Sequence, residues 1–337
     1  MRPKLQDVAA IAGVSEATVS RVMNGKPGVA EGTRRSVLDA LSELGYRDVP
    51  SRKSSTGLVG ILTPELENPI FAVLAQSIEA RLSRRGFVAM ICPTTAETIN
   101  EQDYLDQLVE VNAAGAVVVN GRYAGVGIGY RAYEELAARG LKVVLVNAIT
   151  SPCPLPNVTV DLAAGAAAAV EHLASLGHER IGCLIGPRRY TTTVEFAAGW
   201  RETMETLGLA PDDQLVSETL FTIEGGQAGT ARLLEADATG IVAASDFMAI
   251  GAIRAIRGWG ASVPDDVSVV GFDGTHLASI TDPPLTTVRQ PVGQIAIAVA
   301  SLFASASTTR SVVPSQVLTP ELVVGASTGP VGARVAG

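Results

Sequence analysis

The apolar side chains of residues 5–22 recur with a spacing that two short helices joined by a sharp turn satisfy. Leu5, Val8, Ala9 and Ala12 share one face of a first helix, Val14, Val19 and Val22 close against it from a second, and Gly13 supplies the turn. Ser15 is placed to cap the second helix, and Asn24-Gly25 to stop it. A third helix over roughly residues 31–44 carries Val37, Leu38, Leu41 and Leu44 at helical spacing and completes a small core. This is a helix-turn-helix, an arrangement that presents its second helix to the DNA major groove.

That second helix turns Glu16, Ala17, Ser20 and Arg21 outward near its N-terminus, where base edges are met. Glu16 suits the N4 donor of cytosine, Ala17 the methyl group of thymine and Arg21 the paired acceptors of guanine. A second role for Glu16 stays open, as a charge that simply complements the positive helix end. The chain's net charge of -8 argues against a nucleic-acid partner only until it is divided. Residues 1–57 hold nine Lys and Arg against six Asp and Glu, a net of +3, which leaves -11 for the remainder. A basic head on an acidic body fits phosphate contact by the head alone.

With 337 residues, 47% of them hydrophobic, the chain is long enough for two or three compact units. Cys92, Cys153 and Cys183 are odd in number, far apart and free of CxxC spacing, so neither a disulfide framework nor a zinc site is expected. The N-terminus does not read as a signal peptide, and no apolar run of ~18 residues could span a bilayer. A cytoplasmic protein with no membrane partner is expected.

Residues 47–56, polar and basic with Pro50, Arg52 and Lys53, read as a linker. Beyond Gly57, β-rich runs alternate with helical stretches, at residues 58–62, 87–91, 116–119, 143–146, 181–185, 241–244 and 267–270. Such alternation argues for an α/β fold with parallel sheets covered by helices. It comes in two series divided near Pro156, which implies two similar lobes with a ligand cleft between them.

The motifs that carry family resemblance are dense. Leu5-Gln-Asp-Val-Ala9, Ala12-Gly-Val-Ser15, Thr18-Val-Ser-Arg-Val-Met-Asn24, Thr33-Arg-Arg35 and Leu44-Gly-Tyr46 resemble the headpiece of the LacI family of bacterial transcription regulators. Asn68-Pro-Ile-Phe71, Leu176-Gly-His-Glu-Arg-Ile181, Ala244-Ser-Asp246, residues 263–273 and Pro284-Leu-Thr-Thr-Val-Arg-Gln290 extend the resemblance to about residue 326. It implies a three-helix headpiece at 1–46, a hinge at 47–56 and a periplasmic-binding-protein-like effector domain at 57–326. The chain would cross between lobes three times. One lobe would hold about 57–157 and 290–313, the other about 158–289 and 314–326, with 327–337 a flexible tail. The resemblance implies DNA contact by Leu5, Ser15, Glu16, Ala17, Thr18, Ser20, Arg21, Asn24 and Thr33.

Two departures qualify it. Members of the family usually carry a hinge helix with an Ala-Arg-x-Leu pattern, whose leucine wedges into the minor groove. Here the segment is several residues shorter and leucine-free, which leaves Arg47, Arg52 and Lys53 to lie along phosphates. Many members also have an arginine that binds effector hydroxyls or carboxylates where this chain has Phe196. That disfavours an anionic effector, with Arg122, Arg188 and Arg189 the cations left to substitute.

Ligands of open α/β sheets gather at the carboxyl ends of strands. Asn68, Phe71, Asn147, Asp246, Asp273 and Gln290 fall there, and with Phe196 and Phe221 they form the candidate effector set. Amides and carboxylates exchange hydrogen bonds with hydroxyls, and phenyl rings offer flat faces to a sugar or base. For several of these residues a structural role stays open: Asp246 and Asn68 as helix caps, Phe71 as core.

Enzymatic function finds little support. Gly125-Val-Gly-Ile-Gly129 lacks the last glycine of a dinucleotide fingerprint, no P-loop or GxSxG run is present, and His172, His178 and His276 have no metal-ligand spacing. No cofactor or metal is expected. The expected function is a homodimeric repressor on a near-palindromic operator, controlled by a sugar or similar polar molecule. The alternative is a sugar-binding protein that does not act on DNA.

Overall fold

A computed structural model of the chain describes residues 5–23, 28–44, 57–94, 100–148, 152–305 and 315–332. Two compact units divide it, Met1–Thr56 and Gly57–Gly337.

The first unit consists of helices α1 (Leu5–Ala12), α2 (Glu16–Met23) and α3 (Glu31–Glu43). Val8, Val19, Val22, Val37 and Leu41 are wholly buried between them, each contributing about 1.5–3 kcal/mol as an upper bound. Gly13 takes a φ of +65°, and Val14 N–H donates to the Ala9 carbonyl at 3.0 Å, so α1 ends on a left-handed residue that a side chain would strain. Ser15 Oγ accepts from the Thr18 amide at 3.2 Å and starts α2. Leu5, expected on the packed face, is exposed at the open first turn. Asn24, Arg47, Arg52, Lys53 and the rest of the hinge lie outside the described residues.

The second unit is two α/β lobes. Strands β1 (Leu58–Thr63), β2 (Val88–Pro93), β3 (Gly115–Val119), β4 (Lys142–Val146), β5 (Asn157–Val160) and β11 (Ser315–Leu318) form an all-parallel sheet in the order β11-β5-β4-β3-β1-β2. Strands β6 (Ile181–Ile185), β7 (Val216–Glu218), β8 (Gly240–Ala243), β9 (Ser268–Asp273), β10 (Thr286–Arg289) and β12 (Glu321–Val323) form the other, in the order β12-β10-β9-β8-β6-β7. Only β12 runs antiparallel. The intervening helices are α4 (Pro69–Ser83), α5 (Glu101–Glu110), α6 (Arg131–Ala138), α7 (Leu162–Ser175), α8 (Thr191–Thr206), α9 (Ile223–Glu235), α10 (Asp246–Gly258), α11 (Leu277–Ile280) and α12 (Val292–Ala304).

β3 and β6 are buried at every position. This is why they read as unbroken apolar runs and not as alternating ones. Strands β5, β7, β10, β11 and β12, three or four residues long, escaped the sequence reading. Chain crossings follow β5, β10 and β11, so the first and third come at about residues 161 and 319, later than the expected 157 and 313. The pairing that draws β5 and β11 into the first sheet, from Asn157–Ser315 to Val160–Leu318, sets these limits.

The expected flexible tail is also corrected for residues 327–332. Ser327 is wholly buried, accepts from Thr286 N–H at 2.8 Å and donates to the Val269 carbonyl at 2.6 Å, while Val331 N–H reaches the Leu176 carbonyl at 3.0 Å. Polar partners from α7, β9 and β10 hold down a Gly-, Ala- and Ser-rich sequence that looks featureless on its own.

Candidate functional site

Between the lobes lies an open cavity of about 330 Å³, at the carboxyl ends of the strands. This is where open parallel sheets place their ligands.

The first lobe contributes mainly amides. Asn68 caps α4, its side-chain oxygen accepting from Ile70 N–H at 3.4 Å, and Pro69 at the first helical position fixes the entry. Phe71 follows one turn in and shows its ring to the cavity. Asn147, just past β4, adopts a φ of +64°. Its Nδ2 donates to Asn120 Oδ1 at 2.9 Å and its Oδ1 accepts from Val160 N–H at 3.2 Å, which holds both amides at the wall.

The second lobe supplies rings and an acid. Phe196 from α8 and Phe272 from β9 meet edge to face with centroids 5.4 Å apart, and Phe221 lies over Gly186, where a Cβ would collide with its ring. Asp273 ends β9 with a φ of +109°, is buried, and accepts from Gln290 Nε2 at 2.7 Å.

Asp246 is the expected site residue that does not reach the wall. Ser245 is the cap of α10, accepting from Met248 N–H at 3.2 Å, which makes Asp246 its first residue and turns that carboxylate inward. There it accepts from the Thr275 amide at 2.7 Å, the Thr275 hydroxyl at 2.8 Å and the Thr287 hydroxyl at 2.6 Å. Burial pushes both carboxyls of this pair above the usual range. Asp273 moves further, because it faces the Asp246 charge with only Gln290 donating to it. Asp273 therefore presents a carboxyl, steadied by one amide, to a ligand hydroxyl.

Sequence reasoning missed Glu65, Asn120, Tyr190, Thr193 and Ser245 on the same wall. Reading Ser245 as the helix cap in place of Asp246 would have found one of them. Thr193 is buried, and its Oγ1 has no partner among the described residues. Burial and the neighbouring Glu67 raise the Glu65 carboxyl. Of the cations weighed as substitutes at the Phe196 position, only Arg189 lines the cavity, its guanidinium 4.8 Å from the Tyr190 ring centre. Arg188 pairs instead with Glu218 at 3.6 Å.

In the first unit, Glu16, Ala17 and Arg21 are exposed on α2, Thr18 and Ser20 are half-buried beside them, and Thr33 is half-buried on α3. Arg21 falls in the last turn of α2, one helical turn beyond Ala17.

Comparison with known proteins finds a match in each of the two units. Residues 4–48 match the profile of bacterial regulatory proteins of the lacI family, and residues 170–328 match a periplasmic binding protein-like domain. HTH-type transcriptional regulator MalR of Streptomyces coelicolor is 47% identical over 334 residues, covering 97% of each chain. The chain belongs to the LacI family.

Among other members, DegA of Bacillus subtilis is 34% identical over 339 residues, covering 98% of this chain and 99% of its own. A solved complex of the transcriptional regulator CelR with cellobiose superposes with a TM-score of 0.72 at 31% identity, covering 97% of this chain and 100% of that one. The lac repressor dimer bound to operator and the anti-inducer ONPF gives a TM-score of 0.71 at 27% identity, covering 98% and 100%. Its relatives are transcriptional regulators and not enzymes. Among the described residues of this LacI-family regulator, no helix is long and apolar enough to cross a membrane, and no group of three or more His, Cys, Asp or Glu is placed to hold a metal.

Proposed function

We propose that this regulator represses transcription in the cytoplasm by binding a near-palindromic operator as a homodimer, and that an uncharged sugar held between the lobes sets its operator affinity. The observation that carries this reading is the composition of the cavity. Asn68, Asn120, Asn147, Asp273 and Gln290 offer amide and carboxyl groups to hydroxyls, while Phe71, Phe196, Phe221 and Phe272 supply flat apolar walls. Arg189 is the single cation on that wall, outnumbered by Glu65 and Asp273, so an anionic effector is disfavoured. The solved CelR complex holds cellobiose, which supports a carbohydrate here.

Self-association is supported by the edge strand β2, which leaves Val88, Met90 and Ile91 exposed, with Val73 exposed on the adjacent α4. Apolar, unpaired sheet edges invite pairing, and two-fold pairing puts two headpieces on two half-sites. Coupling between effector and operator in such systems is about 1–3 kcal/mol and must be reciprocal.

The experiment is selection of bound sequences from a random DNA pool by the full chain, repeated with a panel of sugars. A palindromic consensus lost or sharpened by one sugar supports the reading; failure to enrich any sequence overturns it in favour of a sugar-binding protein independent of DNA. Arg21→Ala should relax discrimination at one base pair by about 1–3 kcal/mol. Equal loss on operator and random DNA would make Arg21 a phosphate contact.

A further inference from the structure

Besides the three chain crossings, the lobes are joined by a contact at the rim of the cavity. Gly125 of the first lobe and Tyr190 of the second form an antiparallel bridge, and Val126 N–H donates to the Arg189 carbonyl at 2.8 Å. Thr191 Oγ1 donates to the Ala124 carbonyl at 3.1 Å. These bonds join the segment after β3 to the segment after β6, two stretches with no covalent reason to meet.

The first-lobe side is braced from behind. Glu101, buried at the start of α5, accepts from the Arg122 amide at 2.9 Å through Oε2, and the Tyr133 hydroxyl donates to its Oε1. The Tyr123 hydroxyl is shared between the Val118 carbonyl, at 2.9 Å, and the Val146 carbonyl. Gly121 has no room for a Cβ between Val118 and Glu101. This loop therefore cannot sag toward or away from the other lobe without breaking buried polar contacts, each costly to leave unmade.

We propose that residues 121–126 and 189–191 form a clasp that holds the lobes together at the cavity rim, with Thr191 and Glu101 as its positioning residues. Neither residue lines the cavity. Asn120, which borders the first half of the clasp, and Ala124, Arg189 and Tyr190 within it do. A contact made only when the lobes meet favours the closed arrangement alone, and the apparent affinity of a ligand that needs closure scales with the closed fraction. The same two segments thus touch a ligand and set the equilibrium it must shift. This consequence for ligand affinity rests on the cavity being the effector site; the clasp itself does not.

Hydrogen exchange of the full-length, ligand-free protein tests it. Thr191→Val, which removes one donor at nearly constant volume, should speed exchange of the 121–128 amides roughly 3- to 10-fold, the range expected for one lost hydrogen bond. Glu101→Ala should do the same from the opposite side, and Glu101→Gln, which keeps an acceptor oxygen for Arg122 N–H, should restore slow exchange. The β1 and β3 amides should be unmoved in all three variants. Unchanged exchange at 121–128 in Thr191→Val and Glu101→Ala, or acceleration spread through the whole first lobe, overturns the clasp. Calorimetric titration with cellobiose then separates the two readings. If it binds the unaltered protein, Thr191→Val should weaken it by a similar factor without changing its preference over glucose. A protein that binds neither sugar would count against the sugar reading and leave the exchange result standing.

Discussion

The two lobes repeat one strand order and differ in what they place at equivalent points. Counted from the second strand of each sheet, β4 of the first lobe stands where β9 stands in the second, and a buried cavity-lining residue with positive φ follows β4 directly and ends β9, Asn147 at +64° and Asp273 at +109°. One is an amide tied to another amide, Asn120. The other is an acid tied to Gln290 and pressed by a second acid, Asp246, behind it. The helix after the first strand shows the same contrast: Asn68 caps α4 with its side chain, whereas Tyr190 at the start of α8 makes no such bond. Asn68 and Asn147 of the first lobe each accept from a backbone amide, whereas the Asp273 side chain of the second is held by the Gln290 side chain. Duplicated architecture therefore fixes where a wall residue stands, and local partners decide what it can do.

The strongest way to break this contrast is at Asp273. Asp273→Ala should weaken effector binding about 10- to 100-fold, the range for a hydrogen-bonding group of charged character, with calorimetry on the sugar found by operator selection as the measurement. Asp273→Asn, which keeps an acceptor oxygen in nearly the same place, should cost much less. Equal losses in the two variants would mean that the ligand needs the carboxyl itself.

Asn147 should answer in stability more than in binding. Asn147→Ala loses the bonds to Asn120 and Val160 and puts a Cβ-bearing residue without a compensating side chain at positive φ. Together these should cost about 2 kcal/mol in urea unfolding. Asn147→Gly, free of the backbone strain, should recover about half. A large drop in effector affinity with unchanged stability would erase the distinction between the lobes.

The aromatic wall offers a smaller test. Phe196→Leu removes one partner of the edge-to-face pair with Phe272, worth about 1 kcal/mol of stability beyond lost area. A disproportionate fall in effector affinity would show that the Phe196 ring stacks on the ligand itself.

What was legible in the sequence follows from where the determining contacts lie. The headpiece was readable because Val8, Val19 and Val22 pack within some fifteen residues of one another and Gly13 and Ser15 punctuate them locally. Apolar runs such as Ile181–Ile185 gave away the central strands. Edge strands β11 and β12 did not show, since Ser315, Gln316 and Glu321 are exposed and each strand exists only through pairing with a distant one. Asn68, Phe71, Asn147, Phe196, Phe221, Asp273 and Gln290 were placed on the wall from strand ends and motif positions. Asp246 was misplaced because one residue of rotation at a helix start separates facing the cavity from facing Thr275 and Thr287. Asn120 and Thr193 carried no signal, as an amide after a strand and a threonine among threonines have many ordinary uses.

The mildest test exploits histidine. All three histidines, His172, His178 and His276, fall in the second lobe. His178 is buried, its Nδ1 3.0 Å from Thr239 Oγ1 and its Nε2 2.9 Å from Ser268 Oγ and 3.1 Å from the Gly329 carbonyl, while His172 Nε2 lies 2.9 Å from Thr328 Oγ1. Both rings therefore pin the C-terminal stretch that ends the second lobe. Burial lowers both pKa values below 6.5, and His172 lowers that of His178 further. The unfolded chain then binds more protons than the folded one as the pH falls through 6.5. Stability is full above that value and declines below it. Lowering the pH from 7.5 to 5.5 should therefore reduce Tm, by less than any of the substitutions above. Hydrogen exchange should locate the loosening at residues 325–332 and β9, with β1 and β3 of the histidine-free first lobe unaffected. Equal loosening of both lobes would show that acid acts through their shared core and not through the pinned terminus.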